Sequence, residues 1–135
     1  KELGEPGIEY LLALRGQEIR GYAKLDATDA QSPETGSHAI ELVRLYVATR
    51  WIGAGMGSAL IRTAHQTALA AGHTTCWLQV WTRNEAAIRF YVRWGYRVVG
   101  TRKYTVGAVC EPVHVMVCAL DTTRAPAPVR NQKTP

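Results

Sequence analysis

Gly53, Ala54, Gly55, Met56, Gly57 and Ser58 interrupt an apolar run and lead into Ala59, Leu60, Ala64 and Ala68, which recur at helical spacing. A glycine-rich turn between a strand and a helix suits a phosphate. Glycine lets the backbone approach closely, and the first unpaired N–H groups of the helix point at the anion along the favourable end of the dipole. A P-loop would need a lysine after the last glycine, where this chain has Ser58. A Rossmann turn would need a third spaced glycine and an acid about 20 residues on, and between Glu41 and Glu85 there is no acid. A turn that holds no ligand is the third reading. Arg44, Arg50, Arg62 and Arg83 fall inside that acid-free window, so either an anion or a solvated basic face belongs there.

These residues need elements to hold them. Ile8 to Leu14 and Ile19 to Leu25 read as a hairpin around Arg15-Gly16-Gln17-Glu18. Asp26 to Ser37 is a polar loop, and Ala39 to Ala48 is dense enough in apolar residues for a central strand. The helix after the glycine turn runs to Gly72, a suitable C′ residue, and Thr74 to Val80 reads as a second buried strand in the same sheet. Asn84 is suited to cap a shorter helix carrying Ala87, Ile88 and Tyr91 and closed by Gly95. Tyr96 to Val106 and Pro112 to Leu120 make a last pair of strands around Gly107. The expectation is a single domain over residues 1–121 and a mobile tail over 122–135.

Composition narrows the class. With 135 residues, 47% hydrophobic and 20% charged, the chain is an ordinary globular domain. No apolar run approaches the roughly 20 residues a membrane helix needs, and no signal pattern opens the chain, so a cytoplasmic location and no membrane partner are expected. Cys76, Cys110 and Cys118 contain no C-x-x-C pair, which argues against disulfides and against zinc; they read as buried hydrophobes, and no metal is expected. The net charge of +5 with Trp51, Trp77, Trp81 and Trp94 raises nucleic-acid binding. Most of these tryptophans sit where core packing is expected, so no nucleic-acid partner is expected.

Two segments together resemble the GNAT acetyltransferases. Glu41-Leu42-Val43-Arg44-Leu45-Tyr46-Val47 followed by Gly53-Ala54-Gly55-Met56-Gly57-Ser58 is similar to that family's coenzyme motif. Trp77-Leu78-Gln79-Val80, Asn84, Ala87-Ile88, Phe90-Tyr91 and Trp94-Gly95-Tyr96 are similar to its second motif, closest to the spermine/spermidine branch. The resemblance covers about residues 8–120. It implies an α/β (α+β) fold with a mixed, mostly antiparallel central sheet, a splayed parallel strand pair and flanking helices. It also implies a first strand and two helices ahead of the hairpin, which this sequence lacks.

The implied activity is acetyl-CoA-dependent N-acetylation of a primary amine, a small amine or polyamine, by direct attack in a ternary complex. Acetyl-CoA is the co-substrate. Its contacts would come from Leu45, Val47, Ile52, Gly53, Ala54, Gly55, Met56, Gly57, Ser58, Asn84, Ala87 and Tyr91. Tyr91 takes the family's general-acid position, and a phenol near about 10 can protonate a departing thiolate. Glu41, the only acid on the central strand, is the expected base, acting through water, with His38 the substitute. Their bland alternatives are a packed aromatic for Tyr91, a solvent-facing glutamate for Glu41 and a plain N-cap for Asn84. Ile52 stands where the family has Arg or Gln, which removes one contact to the pyrophosphate. A coenzyme-binding module without catalysis and a peptide N-acetyltransferase are the rival functions. Apolar surface left by the absent front elements would suit a homodimer.

Overall fold

The computed structural model describes residues 7–28, 35–36, 38–53 and 55–120. Ala54, most of the loop before the central strand and the expected tail lie outside the described residues. Among the described residues six strands and two α-helices follow in the order β1 (Ile8–Arg15), β2 (Glu18–Asp26), β3 (Ala39–Val47), α1 (Met56–Ala70), β4 (Thr75–Trp81), α2 (Glu85–Arg93), β5 (Arg97–Val106) and β6 (Val109–Ala119). The strands form one sheet in the order β1-β2-β3-β4-β6-β5, in which only β3 and β4 run parallel. This is the mixed, mostly antiparallel sheet with flanking helices that the sequence predicts.

Register divides the side chains between two faces, because neighbours along a strand alternate. Leu25, Ile40, Leu42, Cys76, Leu78, Val80, Met116 and Cys118 point to one face and form the main core with Leu60, Ile61, Ala64 and Ala68 of α1. Ala87, Ile88, Phe90 and Tyr91 of α2 pack against the same core, so both helices cover this face. Gly21 permits the approach of α1: a Cβ there would lie 2.6 Å from the Tyr46 carbonyl oxygen and 3.1 Å from Leu60 Cδ1. The opposite face carries a smaller cluster of Ala39, Trp77, Val115 and Val117, and a run of exposed Tyr10, Leu12, Leu14 and Tyr46.

Three details differ from the sequence expectation. β6 starts at Val109 and not at Pro112, because Gly107 takes φ 62° and closes a two-residue turn that lets Val106 pair with Val109. A 3-10 turn, Thr49–Trp51, separates β3 from the glycine turn. Cys110 is exposed on the projecting β5–β6 hairpin, so only Cys76 and Cys118 behave as buried hydrophobes. No helix among the described residues is long and apolar enough to cross a membrane.

Candidate active site

β3 and β4 pair only at Ala39 with Thr75, Ile40 with Cys76 and Glu41 with Trp77. Past that point β3 runs on to Val47 and β4 to Trp81 without pairing to each other, which opens a wedge between two parallel strands. Each of the two keeps its outer neighbour, β2 or β6, so the sheet holds together while its centre parts. Val43 is an extra residue on β3, since Lys24 pairs with Arg44 and Leu25 with Leu42. Such a bulge adds local twist and re-aims the backbone on the wedge side.

At the open end of the wedge stands the glycine turn. Gly53 and Gly55 take φ of 90° and 84°, and a Cβ at Gly53 would meet nothing within 4 Å. Only glycine enters this region cheaply, so the sequence dictates the turn. Gly55 is the N-cap of α1 and supplies no side-chain cap, and the first turn of α1 contains no acid. The opening N–H groups of α1 therefore remain available to an anion. Gly57 ties the turn to the wedge: a Cβ there would stand 3.6 Å from Phe90 and 3.9 Å from Val47 Cγ2. This cradle, built from backbone and open to solvent, fits a pyrophosphate.

Met56, Gly57 and Ser58 lie in the first turn of α1, and Leu45 and Val47 face the helix side at the end of β3. Ile52 is 68% exposed. Arg50 stacks over Trp51, 5.4 Å from its ring centroid. Asn84 caps α2, its Oδ1 accepting from the Ala87 N–H at 3.2 Å, so the structural role of this residue is present.

Glu41 and Tyr91 lie on opposite faces of the sheet. Glu41 lies on the face of Trp77, where Gln79 Nε2 donates to its Oε2 at 3.3 Å. Tyr91 packs within the helix-side core, its ring 5.4 Å from Phe90 and 5.6 Å from Tyr96. Burial, with a smaller contribution from the Cys76 thiol, pushes the Tyr91 phenol up to about 12. His38 is exposed at the closed end of the wedge, in a left-handed conformation with φ 58°, away from the open end.

Several neighbours were not singled out in the sequence. Gln79 orients Glu41; alternation along β4 could have placed it on the face of Trp77, but the pairing with Glu41 needs the register. Under Tyr91 lies a buried polar chain in which His65 Nε2 and the Tyr96 hydroxyl are 2.7 Å apart and Tyr96 is hydrogen-bonded to the Cys76 thiol. Burial lowers His65 to about 4 and raises Cys76 to about 12. Trp77 Nε1 is buried without a hydrogen-bond partner among the described residues, and the Arg102 guanidinium lies 5.6 Å from that ring. Trp81 is 56% exposed because it alternates with the buried Val80 onto the face that the helices leave uncovered. Among the described residues no group of three or more His, Cys, Asp or Glu is arranged to hold a metal.

The model of the acetyltransferase (GNAT) family matches residues 2–96. The chain belongs to the GNAT family. An uncharacterized N-acetyltransferase of Mycobacterium tuberculosis is 34% identical over 115 residues, covering 85% of this chain and 69% of that protein. An uncharacterized N-acetyltransferase of Lactobacillus delbrueckii is 32% identical over 107 residues, and the chain spans 61% of its length. In three dimensions the chain is similar to the PaiA N-acetyltransferase of Thermoplasma acidophilum, solved in complex with coenzyme A. The TM-score is 0.64 at 22% identity, covering 84% of this chain and 61% of that one. The arrangement of sheet and helices is thus that of a GNAT fold.

Proposed function

We propose that the protein is an acetyl-CoA-dependent N-acetyltransferase that acts on a primary amine by direct attack in a ternary complex. The observation that carries this is the wedge itself, with the uncapped glycine turn at its open end; Glu41 and Tyr91, on opposite faces of the sheet, are the base and the acid of this reading. Gly53 to Ser58 hold the pyrophosphate through N–H groups, and Leu45 and Val47 offer strand backbone to the pantetheine arm. Ala87 and Asn84 flank that arm at the start of α2. Acetyl-CoA supplies the activated acyl group. On the Trp77 face Glu41, oriented by Gln79, takes the proton from the incoming ammonium through a water. On the helix face Tyr91 gives its proton to the departing sulfur, and the nitrogen's second proton, lost as the amide forms, restores the Tyr91 phenol through solvent. Placement on opposite faces suits a reaction in which nucleophile and leaving group must each exchange a proton at once. The acceptor that the family resemblance favours is a small amine or polyamine.

Ile52 supports a second reading, a coenzyme-binding module without turnover, because its exposed apolar side chain adds nothing to pyrophosphate affinity. Titration with acetyl-CoA followed by a free-thiol assay over an amine panel separates the two. Amine-dependent thiol release sustains the enzyme; binding with no release in the presence of any amine leaves only the module.

A further inference from the structure

From Thr49 to Gly55, the stretch that leads from β3 into α1, one side chain grips the body of the protein. Thr49, Arg50, Ile52, Gly53 and Gly55 are all exposed, and Trp51 alone among the described residues of the stretch is partly buried. Its ring packs on Arg20, whose guanidinium carbon lies 3.5 Å from the ring centroid, the distance of a stacked pair. A bulge brings Arg20 there from β2. Ala13 pairs with Gly21 and Leu14 with Ile19, so Arg20 is the extra residue, and a bulge re-aims the side chain it carries. The Arg20 carbonyl accepts from the Ala48 N–H at 2.8 Å, and the Ala48 carbonyl accepts from the Trp51 N–H at 2.8 Å. Backbone and stack thus join β2 to the same short turn.

Only 16% of the Arg20 side chain is exposed, and its Nε is buried with no hydrogen-bond partner among the described residues; the Glu18 carboxylate lies 3.5 Å away. Sinking a guanidinium this far with so little paired is costly. The contact that offsets it is the indole face of Trp51.

The glycine turn needs such a grip. Gly53 and Gly55 let it enter left-handed backbone but bring no side chain to pack, and glycine loses more freedom than any other residue when fixed. N–H groups bind an anion well when they are already aimed at it. Resting on the acetyl-transfer reading above, we propose that Arg20 is a positioning residue for the coenzyme: by its stack on Trp51 it fixes the glycine turn in the shape that receives the pyrophosphate. Arg20 acts through Trp51 and not on the phosphate. With an apolar side chain at Ile52, the backbone carries the pyrophosphate contact, and this clasp sets how well that backbone is aimed.

A double-mutant cycle on the full chain makes the test. Trp51→Leu keeps Arg20 and Arg50 and removes the ring; Arg20→Met keeps a long side chain and removes the guanidinium. Each is expected to raise the Kd for acetyl-CoA about tenfold, and the double variant no more than either alone, because both break one contact. Trp51→Phe, which keeps an aromatic face, should stay within about threefold of the parent. Amide exchange at Trp51 and Ile52, whose N–H groups bond to Ala48 and Thr49, should quicken in both single variants while β3 stays protected. Losses that multiply to about a hundredfold in the double variant put Arg20 on the phosphate itself and overturn the proposal. Either single variant binding like the parent overturns it too. If the parent binds no acetyl-CoA, the acetyl-transfer reading fails by itself, and exchange judges the clasp. Faster exchange confined to the turn sustains it, and exchange equal to the parent overturns it.

Discussion

Replacing Tyr91 with Phe isolates one hydroxyl. The ring packs between Phe90 and Tyr96, which the variant keeps, and the hydroxyl has no hydrogen-bond partner among the described residues. Its removal therefore leaves no buried group stranded, and the stability change is expected within about 0.5 kcal/mol. The chemical effect is larger. With the phenol at about 12 and an ordinary thiol near about 8.5, complete proton transfer is uphill by roughly 5 kcal/mol. The burial that raises Tyr91 also raises the basicity of a thiolate beside it, so part of this difference closes within the site. Tyr91 then acts at the low end of general-acid catalysis, and Tyr91→Phe is expected to lower kcat by about 100-fold. The Kd for acetyl-CoA should stay within a factor of about two. Because the phenol keeps its proton until near pH 12, Tyr91 contributes no alkaline fall in kcat below about pH 11. Stopped-flow thiol release with a melting curve on the same sample reads all of this. Turnover equal to the parent, with an unchanged melting curve, refutes the acid role.

Ile52→Arg returns a polar side chain to an exposed site beside the glycine turn and is expected to tighten acetyl-CoA binding about tenfold by titration, without altering the melting temperature. Gly55→Ala forces a side chain into φ 84°, so a loss of about 1–2 kcal/mol in unfolding free energy and weaker coenzyme binding are expected together, read by denaturant melts and titration. Glu41→Gln retains a partner for Gln79 but no base; kcat should fall by about 100-fold or more, and the acid limb of the pH profile should go with it. His65 is held neutral by burial, at about 4 against 6.5. Its stabilising contribution is complete above pH 6.5 and is lost as pH falls toward 4, by about 3 kcal/mol. His65→Gln, which can still bond Tyr96, should flatten that part of a pH–stability curve.

Local chemistry and both hairpins were legible in the residues, and the splayed parallel pair was implied by the family resemblance; the detailed register was not legible. Gly72 and Gly95 take φ of 95° and 97° at the ends of the two helices, and Asn84 caps α2, as their residue types require. Glycine spacing placed the turn between β3 and α1; the coenzyme reading of that turn came from the family resemblance. The wedge depends on where β3 stops pairing with β4, and no spacing rule in one strand reports what its neighbour does. The same limit hid the contact between Gln79 and Glu41, which are 38 residues apart, and the meeting of His65 with Tyr96, 31 apart. Cys110 was read as a buried hydrophobe from its residue type, and its exposure follows from its pairing with Thr105 on the β5–β6 hairpin, which residue type does not report. Hairpin length escaped for a different reason: Pro112 looks like a strand terminus, yet Gly107 closes a turn tight enough to carry pairing past it.

Incubation with acetyl-CoA and a panel of amines, with the amine fraction read by mass spectrometry, addresses the transfer chemistry most directly. An acetylated amine whose yield collapses in both Glu41→Gln and Tyr91→Phe is the expected result. Acetyl-CoA bound at the glycine turn, with no amine acetylated or with yields indifferent to both substitutions, would contradict a reaction run across the wedge between β3 and β4.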